Sequence, residues 1–254
     1  MASDQQELPI TGLVVGSIPA AGLVCGDPDR ATRTADYFDK GSLLSERREY
    51  RAYLGDYAGM PVAVCSHGVG APGAAVAFEE LIAAGARRLI RIGTCGGMQP
   101  EMVSGDLVVA TAAVDATGYG RLTVPDGYPA VADLHLTAAL LEAAAKEGRD
   151  VHRGIVLTSD NFYHGVDTRH LTPYPVLSAA GVVAVEMECA ALFIVGSLRR
   201  VQTGAILTVD GNVLERRESM DTYTPHQDAV KAAVEAEIAI ALAALRNSAE
   251  REAA

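Results

Sequence analysis

The sequence predicts an α/β protein in which strands and helices alternate around one sheet. Short apolar, β-branched runs recur along the 254 residues, Ala-rich stretches of helical character separate them, and glycine-rich tips close several of the runs. Read from this alternation alone, the sheet is mostly parallel and covered by helices on both faces. Ligands in such folds bind at the C-terminal ends of the strands, where the glycine-rich tips fall.

Taken in order, AGLVCG (21–26) is a buried strand, and Asp27-Pro28 an N-cap with proline in the first turn of a helix running to about Phe38. Residues 49–57 form a strand, Ala58-Gly59 a turn, and PVAVCS (61–66) the returning strand. After HGVGAPG (67–73) comes a helix closed near Gly85, then the strand RRLIRIG (87–93) ending in a TCGG loop (94–97). LVVATAAV (107–114) is a strand and 132–148 an amphipathic helix ending at Gly148. VHRGIVLTS (151–159) is a strand followed by a polar, aromatic loop to about Tyr174. VVAVEME (182–188) leads into a helix to about Arg200, TGAILTVDG (203–211) is a strand, and 225–245 a final helix.

A chain with 49% hydrophobic residues and no linker, repeat or charge block is expected to form one domain over 1–254. Its formal net charge of -11 argues against a nucleic-acid surface, which needs clustered Lys and Arg. The start, MASDQQELPI, has neither the basic nor the apolar part of a secretory signal, and Glu186 and Glu188 interrupt the longest apolar stretch, so no membrane partner is expected. The four cysteines form no C-x-x-C pair and suggest neither disulfides nor zinc; no metal site is expected, and the cytoplasm is the default compartment.

Several segments carry chemistry. GDPDR (26–30) joins a strand to a helix N-terminus, where glycine permits close approach, free N–H groups favour an anion and Arg30 adds charge. A helix cap with a surface ion pair accounts for the same residues. IRIGTCGG (90–97) sets Arg91 in an apolar strand, where a cation needs an anion or a carboxylate to answer it; Thr94 and the N–H groups after it suit an anion nest, and a buried Arg–Glu pair is the alternative. VEMEC (185–189) places two carboxylates around a methionine, suited to the hydroxyls and apolar face of a ribose. TVDG (208–211) ends a strand on Asp210, a general acid if burial raises its pKa, or a plain Asp-Gly turn. Phe162 and Tyr163 offer rings to stack on a base, or loop anchors. His67 reads as a packed strand-end histidine rather than a catalytic base.

Together GDPDR, RREY (47–50), SHGVGAPG (66–73) with FEEL (78–81), RIGTCGGMQP (91–100), GYPAVAD (127–133), SDNFY (159–163), VEME and TVDG fall in one register over nearly the whole chain. In this register the chain resembles the trimer-to-hexamer branch of the nucleoside phosphorylases, which includes purine and uridine enzymes. The resemblance implies a three-layer α/β/α domain with a mixed, partly barrel-like central sheet. It implies phosphate contacts from Gly26, Arg30, Arg91 and Thr94, with Arg48 reaching across a dimer interface of a homo-oligomer, up to a hexamer. Met187 and Glu188 would hold the ribose; Val69, Cys95, Gly96, Phe162, Val185 and Glu186 would line the nucleoside pocket. Asp210 would donate a proton to the leaving purine. No metal or organic cofactor is implied, inorganic phosphate being the co-substrate.

Departures from the family pattern shape the expectation. Uridine phosphorylases carry a Gln and an Arg shortly after F-Y, where this chain has Val166 and Thr168, and V-D-G is similar to a purine-specific branch. Purine (deoxy)ribonucleosides are therefore the expected substrates, with uridine phosphorylase, a hydrolytic nucleosidase of the same fold, or a non-catalytic nucleoside binder as rivals. The family's N-terminal His is missing from LPITGL (8–13), and NVLERRESM (212–220) lacks the aromatic common after V-D-G.

Overall fold

The computed structural model of the chain describes residues 6–163, 166, 172–214 and 227–253. It begins with β1 (Ala21–Cys25), α1 (Pro28–Ala35), β2 (Asp39–Arg47), β3 (Tyr50–Tyr57), β4 (Met60–Ser66) and α2 (Ala71–Ala84). Then follow β5 (Arg88–Gly97), β6 (Leu107–Ala116), α3 (Gly118–Thr123), β7 (Ala130–Val131) and α4 (Leu134–Lys146). The remainder is β8 (His152–Ser159), α5 (Tyr174–Ala179), β9 (Val182–Glu186), α6 (Cys189–Arg199), β10 (Gln202–Asn212) and α7 (Asp228–Ala253).

The caps read from sequence operate as chemistry requires. Asp27 caps α1 by accepting from the Asp29 amide, with Pro28 in the first turn, and Asp133 caps α4 by accepting from the Leu136 amide. Gly85 ends α2 at φ 136°, where a Cβ would stand 2.2 Å from the Ile18 carbonyl oxygen. Ala58 and Gly59, both at positive φ, turn β3 into β4.

The sheet is mixed rather than mostly parallel. Its order is β10-β6-β8-β9-β5-β1-β4-β3-β2, and β10 also pairs with β5, so β10, β6, β8, β9 and β5 close into a five-strand barrel from which β1, β4, β3 and β2 extend. The β1–β4, β1–β5, β5–β10, β6–β8 and β8–β9 pairs are parallel; β5–β9 and β6–β10 are antiparallel. Periodicity reports burial, not strand direction, so the two reversals escape it. β2 was not expected either. It is an exposed edge strand of polar composition, DKGSLLSER, without the apolar alternation that marks a half-buried strand.

Alternate side chains of the open half feed two cores. Val24, Cys65 and Leu89 face a layer containing Phe78 of α2 and Phe193 of α6. Leu23, Val64 and Ile90 face Leu140 of α4 and Ile238 of α7. This is the expected α/β/α sandwich. Among the described residues no helix is long and apolar enough to cross a membrane.

Candidate active site

A pocket of about 410 Å³ opens where β1, β5, β9 and β10 end, at the mouth of the barrel. Gly26, Arg30, Arg91, Thr94, Cys95 and Gly96 line it from the β1 and β5 side. Val185, Glu186, Met187 and Glu188 close it opposite, Asp210 stands at the β10 end, and Val69 and Phe162 border it. Thirteen of the fourteen residues singled out from sequence thus share one cavity. Arg48 does not line it: it sits exposed on the tight turn between β2 and β3, at φ 55°. The next residue, Glu49, packs against Gly68, which does line the pocket. Thr168 lies outside the described residues, and Val166 is exposed.

Arg91 is the hub. Its Nη2 lies 2.5 Å from Glu188 Oε2, its Nε 3.2 Å from Glu186 Oε2, and its Nη1 3.3 Å from His67 Nε2. Burial works against the charge on Arg91, but the two glutamates more than offset it and hold the guanidinium charged beyond its usual range. The buried Arg–Glu arrangement left open by the sequence is therefore present, and it stands inside the pocket. Three of the five guanidinium N–H groups are engaged in this way, leaving two for a ligand.

The two glutamates have different tasks. Glu186 is saturated: it accepts from Thr158 Oγ1 at 2.5 Å, from the Glu188 amide at 2.7 Å and from the Cys189 amide, at the start of α6. These bonds fix the bend from β9 into α6. Glu188 accepts from the Gly70 amide at 2.6 Å besides pairing with Arg91, and burial raises its pKa even against the pull of that arginine. Because Glu188 follows the end of the strand, both carboxylates reach one guanidinium despite the bend.

His67 is fully buried, stacked edge-on against Phe78. Its Nδ1–H donates to the Gly68 carbonyl at 2.9 Å, which leaves Nε2 to accept from Arg91. Burial and the neighbouring arginine push its pKa well below the usual value, so the ring is neutral. It is a packed histidine, as expected, but it also orients Arg91, a role its sequence position beside Gly68 did not reveal.

The TCGG segment is not a loop; it continues β5. Gly96 pairs with both Val185 and Gly211, and a Cβ there would stand 2.4 Å from Val213 Cγ1 and 3.2 Å from Val185 Cγ1. Glycine at position 96 is needed for this close approach. Thr94 still lines the cavity, and Cys95 is buried with its thiol pKa pushed well above normal by burial and by Asp210.

Asp210 is not in a plain turn. Val209 pairs with Cys95 and Gly211 with Gly96, so Asp210 is the extra residue of a β-bulge, 6% exposed, with Ser104 Oγ donating to its backbone carbonyl at 3.1 Å. Ser159, Asn161 and Tyr174 also line the pocket. Only the first two fall within a motif quoted from the sequence.

One more acid lies beneath the floor. Glu237 of α7 is fully buried and accepts from Thr208 Oγ1 at 2.6 Å. Its signal was present in the sequence: Val230, Val234, Glu237, Ala241 and Ala244 fall at helical spacing on the apolar stripe.

Residues 20–246 match the family model described as the phosphorylase superfamily. The uridine phosphorylase of Treponema pallidum (strain Nichols) is 39% identical over 235 residues, covering 89% of this chain and 91% of that protein. The purine nucleoside phosphorylase of Plasmodium vivax (strain Salvador I) is 40% identical over 191 residues, covering 74% and 77%. The crystal structure of purine nucleoside phosphorylase from Toxoplasma gondii in complex with immucillin-H superposes with a TM-score of 0.88 at 32% identity, covering 97% of this chain and 98% of that one. The chain belongs to the phosphorylase superfamily. It is an enzyme of the nucleoside phosphorylase class, a pentosyltransferase.

Proposed function

We propose that the enzyme cleaves the N-glycosidic bond of purine ribo- or deoxyribonucleosides with inorganic phosphate, releasing the free base and the (deoxy)ribose 1-phosphate. The observation that carries the purine reading is Asp210, a buried carboxyl at the bulge of β10 on the pocket wall. The exposed Val166 supports it, since it stands where a uridine enzyme has its Gln.

On this reading phosphate lies between the Gly26 end of β1 and the Arg91 end of β5. The N-terminus of α1, Arg30, Thr94 and the two spare N–H groups of Arg91 bind it. Arg48 comes from the neighbouring subunit, which makes a homo-oligomer part of the site. Met187 and Glu188 hold the sugar, while Val69, Cys95, Gly96, Phe162, Val185 and Glu186 enclose the nucleoside. Glu186 acts there chiefly by fixing Arg91 and the bend into α6, its oxygens being occupied.

A phosphate oxygen attacks C1′ as the C1′–N9 bond breaks and its electron pair passes to the purine. The sugar is oxocarbenium-like at the transition state, and the anion on its open face stabilises it. The Asp210 carboxyl gives its proton to N7 of the departing base and is reprotonated after release. The chain's contribution is positioning and electrostatics, with phosphate as co-substrate and no further cofactor, and we place the reaction in the cytoplasm.

The uridine phosphorylase reading is favoured by the Treponema pallidum relative. Initial rates on inosine, guanosine, adenosine and uridine, each with and without phosphate, decide the matter. Fastest cleavage of a purine nucleoside, abolished without phosphate, is expected; a clear uridine preference ends the purine reading, and undiminished turnover without phosphate ends phosphorolysis.

A further inference from the structure

We propose that Glu237 is a positioning residue for the anion-binding arginines, whose proton occupancy sets how tightly the pocket holds a doubly charged oxyanion. The inference rests on the phosphate site proposed above, and adds to it an acid from the last helix that touches neither sugar nor base.

The placement argues for it. Glu237 Oε2 accepts from Thr208 Oγ1, and Thr208 pairs with Thr94 across the β10–β5 ladder, so one strand's thickness separates this carboxyl from the pocket floor. Its second oxygen, Oε1, is buried and makes no well-formed hydrogen bond, although the Gly93 amide acts on the carboxyl and favours its ionised form. Nε of Arg30 is also buried without a partner, while its Nη1 makes a long 3.4 Å bond to the Ile92 carbonyl. A fully buried carboxyl beneath the cavity and a guanidinium in its wall, only 8% exposed, therefore each keep one polar atom without a well-formed bond. Nature rarely leaves such groups unsatisfied without a use for them.

The surroundings leave Glu237 as the group poised to titrate. Arg30 faces it from α1, and Arg91 and Cys95 from β5; Cys25 faces it from β1. Burial keeps both thiols protonated, raising Cys25 to about 12 and Cys95 well above its usual value. From β10 come Thr208 and, farther along, Asp210, which neighbours Cys95. The facing sides of α4 and α7 are apolar, built from Leu136, Leu140, Val234 and Ile238. Glu186 and Glu188 bear on Arg91 from the opposite wall. Burial, opposed by Arg30, raises Glu237 to about 7.

The consequence is a linkage. In the empty pocket an ionised Glu237 serves as counter-charge for Arg30. A dianion arriving on Arg30 and Arg91 replaces that service and repels the carboxylate, which then takes up a proton. Binding is thus accompanied by proton uptake above neutral pH, and affinity falls as pH rises.

Sulfate is the suitable probe, since phosphate itself titrates near neutrality. Calorimetry of sulfate binding to the whole protein at pH 6 and 8, in buffers of different ionisation heat, reads affinity and protons together. If only the protonated form binds, the sulfate Kd rises about tenfold from pH 6 to pH 8, with uptake approaching one proton at pH 8. In Glu237→Gln the Kd changes less than about twofold and uptake vanishes; a contribution from Glu188 would survive that substitution. A pH-independent Kd without proton uptake in the unmodified protein, or an unchanged slope in Glu237→Gln, overturns the inference while leaving the phosphate site standing. Failure of both sulfate and phosphate to bind at any pH overturns the phosphate site itself. Should the variant fold poorly, the unmodified protein still decides against the inference if it takes up no proton.

Discussion

Arg91 and Glu188 face each other at 2.5 Å, with side chains only 4% and 5% exposed. The residue proposed to hold the sugar thus grips a residue proposed to hold phosphate. A charge pair so far from water stabilises only while both members remain. Arg91→Ala leaves Glu186 and Glu188 facing each other without a cation. We expect it to lower folding stability by about 3–5 kcal/mol and to raise the phosphate KM sharply. Arg91→Lys keeps the charge but loses the fork, so stability should suffer less than phosphate affinity does. Denaturant titration beside phosphate saturation curves checks both; an unchanged phosphate KM in either variant counts against the site.

Asp210→Asn keeps shape and burial but removes the acid. Its kcat for purine nucleosides should fall on the order of 10²-fold or more, with little change in Tm. Steady-state rates on inosine make the measurement. Turnover close to the original would remove Asp210 from the proton-transfer role.

His67 links the site to acid stability. Its folded pKa lies well below the unfolded value of 6.5 because of burial and Arg91. Below that value the unfolded chain takes a proton that the native ring refuses, so stability falls as pH drops through 6.5. One such group contributes at most about 1.4 kcal/mol per pH unit. Subtracting the stability–pH profile of His67→Phe from the original, between pH 7 and 5, should expose this slope; identical profiles would refute it.

Gly96→Ala tests the crowding between β5, β9 and β10. The added methyl meets Val213 and Val185, and no flexible side-chain end is available to yield. Overpacking of this kind costs about 1–3 kcal/mol. The strain falls on the pocket wall, so nucleoside KM should rise while phosphate KM holds. A variant as stable and active as its parent would show that the wall is softer than its contacts suggest.

Much of this fold was legible from the sequence. Asp27-Pro28, Asp133 and Gly85 are local signals with local causes, and the buried strands declare themselves by apolar runs such as LVVATAAV. What escaped depends on distant partners. The direction of β9 against β5 is settled by tertiary closure of the barrel, and β2 gives no periodic signal because it is an exposed edge strand. The site follows the same division. Arg30, Arg91, Glu188 and Asp210 stand in short motifs at strand ends, whereas the duties of His67 and Glu237 come from neighbours 24 and 29 residues away in the chain.

The supernumerary residue in β10 alters the parity of everything after it. Up to Val209 the strand alternates in step with β5; past Asp210 that alternation is offset by one, and Asn212 Nδ2 reaches the Gln99 and Met102 carbonyls at 2.8 and 3.1 Å. Deleting Asp210 would do more than lose an acid. It would also flatten the bulge, letting Gly211 follow Val209 directly as the regular partner of Gly96, and so remove the local kink of β10 at the pocket wall. The bulge thus admits a single additional residue without disturbing the Gly211–Gly96 and Asn212–Gly97 pairs, so the strand carries the proposed proton donor at no loss to the ladder beyond it.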